Sequence, residues 1–549
     1  MKAKKTREMK KAKKTHGKKY VQLELEGVGD SKKESERERK SRERKERGEA
    51  HKRFMEKLPE SGITDTIASF MAFFHVSTLL AKSGIVNNGA GGLPAGDMFT
   101  FILSQVFRQH SIYRQEQMGT LPEGVSTSSV SRFLNNQLFR WESFLALLSK
   151  AMYIFIDGLT GKDRKKALVA DDSDYDRTIR SREKIGGGKK NSKKKNGKKK
   201  KEKKEKKNKG RRTEFAARKY DHARKRHSIG FRMLTLGFTD GFTFIPLCFS
   251  LLSSRRDDCV VGDKDTKGLD KRGFAYKRRK LARSATMDVL VTLVKRALAY
   301  VKSVRHICVD RWFSSPAQIV ALRDATGLHV ITVLKHGNAK FEFNGVEMTI
   351  KQIFEQVKKN KGRSRYLSEA LIKIVKNGVA IKVVFVRNRA NRKEWIAIAT
   401  TDTSLASEDI IEYYALRWDI EKYFWTIKMH LHLTDECHST SYDALTAHAT
   451  IVAVRYMLLA YEKRNNEDDK TFGGLIAMIS EEAKSMAVSE ILGVFADAVF
   501  DSIDHVVGMT NEMKEMFVDQ LLSRLPEDVT KLLAFAYGKS GGEASAGQV

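Results

Sequence analysis

The strongest constraint on the fold is a change of apolar rhythm. From about residue 58 to 154, apolar residues recur at three and four, as in Ile67, Phe70, Met71 and Phe74. That spacing predicts a helical region. The rhythm then shortens to runs of strand length at residues 166–172 (KALVADD), 230–236 (GFRMLTL) and 242–252 (FTFIPLCFSLL). The last two are divided by Thr239-Asp240-Gly241, a tight hairpin signal, so the three runs read as an antiparallel meander.

Downstream the pattern alternates. A helical pattern over 284–301 leads into residues 305–310 (RHICVD), a short buried strand ending in an acid. A helix over 316–325 and a strand over 330–334 follow. Three strands, then helix, strand, helix, strand is the order of a ribonuclease H-like α/β core. Residues 329–401, rich in Val, Ile, Phe and Lys, read as a β-rich insertion, and 402–549 as helical. The expected organisation is a basic disordered arm (1–55), a helical DNA-binding domain (56–160), a first core part (161–328) interrupted by a lysine-rich insertion (184–212), the β-rich insertion, a second core part (402–465) and a helical C-terminal region (466–549). Residues 538–549, small and polar, read as loose. Within the N-terminal helices, Ser126 caps a short polar helix over 127–134 after the Gly124 turn, as in the second helix of a helix-turn-helix.

Charge narrows the partners. The 549 residues carry a formal net charge of +35, which is self-repulsive unless a polyanion answers it. By count, residues 1–53 hold about +11 and residues 184–212 about +15, and such blocks are solvated rather than packed. Nucleic acid is the expected polyanion. No stretch reads as long enough in apolar residues to span a bilayer, and lysines follow Met1 where a signal peptide needs an apolar core, so no membrane partner is expected. Cys248, Cys259, Cys308 and Cys437 fit neither a zinc ribbon nor a disulfide framework and read as reduced thiols.

Residues 413–433 (YYALRWDIEKYFWTIKMHLHL) carry the chemistry. At 100° per residue, Tyr414, Arg417, Glu421 and Lys428 project from one face of a helix, beside an apolar stripe of Tyr413, Leu416, Ile420, Phe424, Ile427 and Leu431. An ordinary amphipathic helix with an Arg417–Glu421 pair has the same look. Trp418 and Trp425 also fall on the polar side, where indoles gain little unless something flat covers them.

The spacing of Tyr414, Arg417, Glu421 and Lys428 resembles the Tyr-Arg-Glu-Lys signature of cut-and-paste DDE transposases from bacterial insertion sequences, the insertion-sequence-four superfamily. Residues 168–177 (LVADDSDYDR), 219–254 and 307–316 (ICVDRWFSSP) are similar to the superfamily's first-Asp, second-strand and second-Asp blocks, so the resemblance covers about residues 120–460. It implies a DNA transposase with Asp172, Asp310 and Glu421 as catalytic metal ligands. Two Mg2+ ions, with Mn2+ as a possible substitute, are the implied cofactors, since hard cations choose carboxylates and two of them can run in-line phosphodiester displacement. The partners implied are double-stranded DNA, as transposon ends and target, and a second copy of the chain in a synaptic complex. The implied location is cytoplasmic and nucleoid-associated. Tyr414, Arg417 and Lys428 would hold phosphates, and Trp395 and Trp418 would stack on or wedge out a base. The lysine insertion is a departure from the family pattern.

The alternatives are a ribonuclease H-like nuclease without strand transfer and a non-catalytic transposase-derived DNA-binding protein. Asp172, Asp174, Asp176 and Glu183 imitate a calcium loop, but Arg177 stands where glycine is needed. His430, His432, Cys437 and His438 match no common zinc spacing. Asp171 and Asp172 cannot both face Asp310 and Glu421 from a strand, and parity does not choose between them. The resemblance does, because the family's Asp directly precedes a hydroxyl residue, here Ser173.

Overall fold

The structure is a computed structural model that describes residues 48–59, 65–86, 93–108, 111–177, 213–221, 225–264, 266–360, 364–388, 394–465, 471–506 and 509–539. The lysine insertion, most of the N-terminal arm, Glu183 and residues 540–549 lie outside the described residues. The chain divides into two compact units, Leu58–Val494 with Leu525–Val549, and Met1–Lys57 with Phe495–Arg524.

In the smaller unit, α1 (Glu49–Lys57) is a helix within the span read from sequence as disordered arm. Its Phe54 and His51 rings pack on Phe500, with centroids 4.5 and 5.5 Å away, and Arg53 pairs with Glu515 at 2.6 Å. That apolar contact supplies the partner that the charge count could not reveal.

The larger unit begins with helices α2 (Thr66–Phe73), α3 (Val76–Lys82), α4 (Ala95–Ser104), α5 (Ile112–Gln117), α6 (Thr127–Leu134) and α7 (Trp141–Gly158). As expected, Ser126 caps α6, forming a reciprocal capping box with Ser129. Trp141, Phe144, Leu148 and Met152 of α7 are buried in the same hydrophobic core as the strands that follow. The N-terminal helices and the sheet therefore share one core.

The strands are β1 (Ala167–Asp176), β2 (Ala217–Asp221), β3 (Arg226–Thr239), β4 (Phe244–Leu252), β5 (His306–Val309), β6 (His329–Leu334), β7 (Lys340–Phe343), β8 (Val346–Thr349), β9 (Ser368–Ile374), β10 (Ala380–Arg387) and β11 (Trp395–Thr400). Helices α8 (Phe274–Ala282) and α9 (Thr286–Leu298) precede β5, α10 (Pro316–Thr326) precedes β6, and α11 (Ile350–Gln356) follows β8. The strands form one mixed eleven-stranded sheet, giving an α/β fold. β1 and β4 flank β3 antiparallel; β5 joins β1, and β6 joins β5, in parallel. The hairpin between β3 and β4 turns at Gly241, whose φ of +81° suits glycine, while Asp240 Oδ1 accepts from the Phe242 and Thr243 amides.

Two features differ from the sequence reading. β2 was not expected, because its five residues (ARKYD) are polar and alternate in burial. The β-rich insertion is no separate sheet: β11 pairs antiparallel with β6, and β10, β9, β7 and β8 extend the sheet from there. Periodicity marks which face of a strand is apolar and carries no information about which edge it joins.

The chain closes with α12 (Ser407–Ala415), α13 (Trp418–Met429), α14 (Tyr442–Asn465), α15 (Phe472–Asp504), α16 (Asn511–Arg524) and α17 (Glu527–Ala536). Among the described residues α14 is long and apolar enough to cross a membrane, which corrects the sequence expectation that no stretch is. Its apolar window is wholly buried within the protein, as befits a helix that is apolar all round and sits at the centre of a core.

Candidate active site

The site forms where β1 outruns its neighbour. The last β1–β5 pair is Ala170 with Val309, so the next residues, Asp171 and Asp172 on one strand and Asp310 on the other, meet at the end of the pairing. Asp310 caps a short 3-10 turn (Arg311–Phe313) and accepts from the Trp312 amide at 3.3 Å.

The third contribution comes from α12 and α13. The sequence predicts one helix through 413–433, but the helix breaks at Leu416–Arg417, where Leu416, Arg417 and Asp419 bond three residues back rather than four. This tightened turn brings Arg417 inward. Ile420, Phe424, Ile427 and Leu431 are buried as expected, together with Tyr423. Thr239 Oγ1 anchors the first turn of α13 by donating to Asp419 Oδ2 at 2.7 Å.

Arg417 Nη1 lies 2.5 Å from Glu421 Oε1, 3.4 Å from Asp171 Oδ2 and 4.0 Å from Asp310 Oδ1. Lys428 Nζ donates to Ser173 Oγ at 2.6 Å. Asp171 and Ser173 are two residues apart on β1 and share a face. Two independent contacts thus turn the odd-numbered face of β1 toward α13. Asp172 is on the opposite parity and pairs with Arg232 of β3. The sequence reading took Asp172 as the first acid; of the two adjacent acids, Asp171 is the one that lies beside Arg417 with Asp310 and Glu421.

Electrostatics mark the same place. Burial pushes the Asp171 carboxyl up to about 7, and the neighbouring charges of Asp310 and Glu421 push the same way against Arg417. Burial opposes the Arg417 charge, yet Tyr414, Glu421 and Asp171 hold its pKa above the usual arginine value. Burial likewise raises the Tyr414 phenol, whose ring lies 5.5 Å from the Arg417 guanidinium. Arg417 is thus shared by three carboxylates, with Arg232 also acting on Asp171, and a divalent cation would add positive charge at this cluster. As the side chains stand, no group of three or more His, Cys, Asp or Glu among the described residues is drawn together around a metal position.

The remaining candidates separate. Trp418 and Trp425 are exposed, as their helical angle predicts, at 59% and 58%. Trp395 is half-buried and packed by Phe354, His336 and Phe385, with ring centroids at 4.3, 4.2 and 5.3 Å. The calcium-loop imitation fails because Asp174 and Asp176 lie within β1, paired with Lys219 at 2.5 and 2.8 Å. Of the zinc candidates, Cys437 is buried, and the His432 carbonyl accepts from the His448 ring at 3.3 Å.

Sequence reasoning missed Arg232 and Arg455. Arg232 is the one charged residue in the run GFRMLTL, a signal available in the sequence. Arg455 is fully buried and holds Glu436, the Leu431 carbonyl beyond α13 and the Ile102 and Leu103 carbonyls of α4. It therefore fixes where α13 ends.

Acids from two adjacent parallel strands and a helix thus converge beside basic and aromatic side chains. Residues 274–458, about a third of the chain, match the family model described as the transposase DDE domain. The match contains Asp310 and Glu421, begins after β1, and supports a DDE transposase. No curated protein matches the chain.

Proposed function

We propose that this chain is a DNA transposase that binds transposon ends, cleaves the DNA and transfers the 3′ ends to a target. The observation carrying this reading is the convergence of Asp171, Asp310 and Glu421 on Arg417. The strand order β4-β3-β1-β5-β6, with β5 and β6 parallel to β1, supports a ribonuclease H-like core. The Tyr-Arg-Glu-Lys spacing supports membership of the insertion-sequence-four superfamily.

In this reading Asp171, Asp310 and Glu421 would hold divalent cations, Mg2+ by preference, and the bound charge would supply activation of an attacking oxygen and neutralisation of a leaving one. Arg417 then exchanges carboxylate for phosphate, presenting its fork to the DNA backbone while Lys428 adds a point charge. Tyr414 orients Arg417, and exposed Trp418 offers a flat surface to a base. A second reading keeps Asp172 as the first ligand. It is favoured by Ser173 directly following Asp172 and requires Asp172 to leave Arg232. A synaptic homodimer accounts for handling two ends together.

The test uses a labelled duplex made from the DNA flanking the coding region, with Mg2+ or EDTA. Cleavage requires Mg2+, and Asp310→Asn and Glu421→Gln each abolish it while retaining DNA binding, because an amide keeps the shape and loses the ligand charge. Full cleavage by Glu421→Gln overturns the proposal. Joined products from a pre-cleaved end separate a transposase from a nuclease.

A further inference from the structure

The end of the sheet that carries Asp310 continues past it. β5 ends beside β6 in parallel, and β6 pairs with β11 through Leu334 and Ala397. Asp310 after β5, Lys335 and His336 after β6, and Trp395 at the start of β11 therefore sit at the same end of neighbouring strands. Three strand spacings separate β1 from β11, about 14 Å. Between the acids and Trp395 stands Trp312, two residues after Asp310 and 54% exposed. Its amide is held by the Asp310 carboxylate, and Lys335 Nζ lies 4.6 Å from its ring centroid. The positive charges of Arg311 and Lys351 reach His336 in the same stretch.

We infer that Trp312 and Lys335 form a subsite for one nucleotide of single-stranded DNA leaving the carboxylate centre, the indole stacking on the base and the ammonium meeting its phosphate. The inference rests on the proposed DNA reaction and adds the path the strand takes. An indole that is half exposed and fixed at its backbone to Asp310 sits at a constant offset from the acids. Exposure of a large flat ring is unfavourable in water and is relieved by stacking on a base, whichever base it is. Lys335 already satisfies the cationic half of such a subsite, because an ammonium over an indole face is stable and still free to pair with phosphate on its outer side. The competing role is purely internal: Lys335 on Trp312 ties the 3-10 turn to β6.

The two roles separate in a binding experiment with the full chain in EDTA. The probes are a fluorescent duplex with a 3′ tail of thymidines and the same duplex with a tail of abasic tetrahydrofuran residues, read by anisotropy. Wild type binds the thymidine tail more tightly by about 5- to 100-fold, the range of base stacking on an aromatic residue. Trp312→Ala reduces that ratio at least fivefold, Trp312→Phe keeps most of it, and Lys335→Ala weakens both probes equally. A ratio unchanged in Trp312→Ala, with circular dichroism showing it folded, overturns the inference. No cleavage is read, so this result is independent of the Glu421→Gln test: an unchanged ratio with a dead Glu421→Gln leaves the proposed reaction standing without this subsite.

Discussion

Replacing Asp171 by Asn should make the protein more stable, and only above a definable pH. The Asp171 carboxyl ionises near its ordinary value of 3.8 in the unfolded chain and near about 7 in the folded one. Between those values the folded state binds the extra proton, so stability falls as pH rises. The loss is complete above pH 7 and amounts to at most about 4 kcal/mol. Asn carries no charge, so the gain of the variant over wild type is near zero below pH 4, grows through the window and is flat above 7. For a unit of this size that is a rise in Tm of up to roughly 4 °C at pH 8. Calorimetry in EDTA from pH 4 to 9 measures it. Asp172→Asn moves the other way, because it deprives Arg232 of its carboxylate. With Mg2+ at pH 8, wild type gains stability from bound cation and Asp171→Asn does not. An Asp171→Asn protein that melts no higher than wild type at pH 8, or that is stabilised equally at pH 4, refutes the argument that three crowded carboxylates await a cation.

Deleting residues 184–212 removes about +15 of charge, which meets phosphates and reads no base edges. Binding to end DNA and random DNA should weaken alike and depend less on salt; a loss confined to end DNA would contradict this. Arg455→Ala strands Glu436, and urea denaturation should show a cost of about 3–5 kcal/mol. Trp418→Ala should leave urea stability within about 0.5 kcal/mol and lower DNA affinity. Trp395→Ala, whose ring is packed by three others, should cost roughly 2–3 kcal/mol in the same assay.

Much of this molecule is written locally. The meander, the Thr239-Asp240-Gly241 turn, the Ser126 cap and the apolar stripe of α13 all depend on neighbours within a few residues, where periodicity and turn chemistry act. Asp310 at the end of a buried strand and Glu421 four residues after Arg417 were legible for the same reason. What tertiary structure decided is whatever depends on partners distant in sequence. It joined the β-rich segment to the edge of β6, broke the helix expected over residues 413–433 at Arg417, and buried Arg455 with Glu436 between α4 and the end of α13. It also chose Asp171 over Asp172 as the acid beside Asp310 and Glu421. Both acids precede equally polar surroundings in the chain, and a strand covered on both sides gives no parity to read. The choice came from Lys428 reaching Ser173 and Arg417 reaching Asp171, contacts that span about 250 residues and exist only once α13 lies against β1.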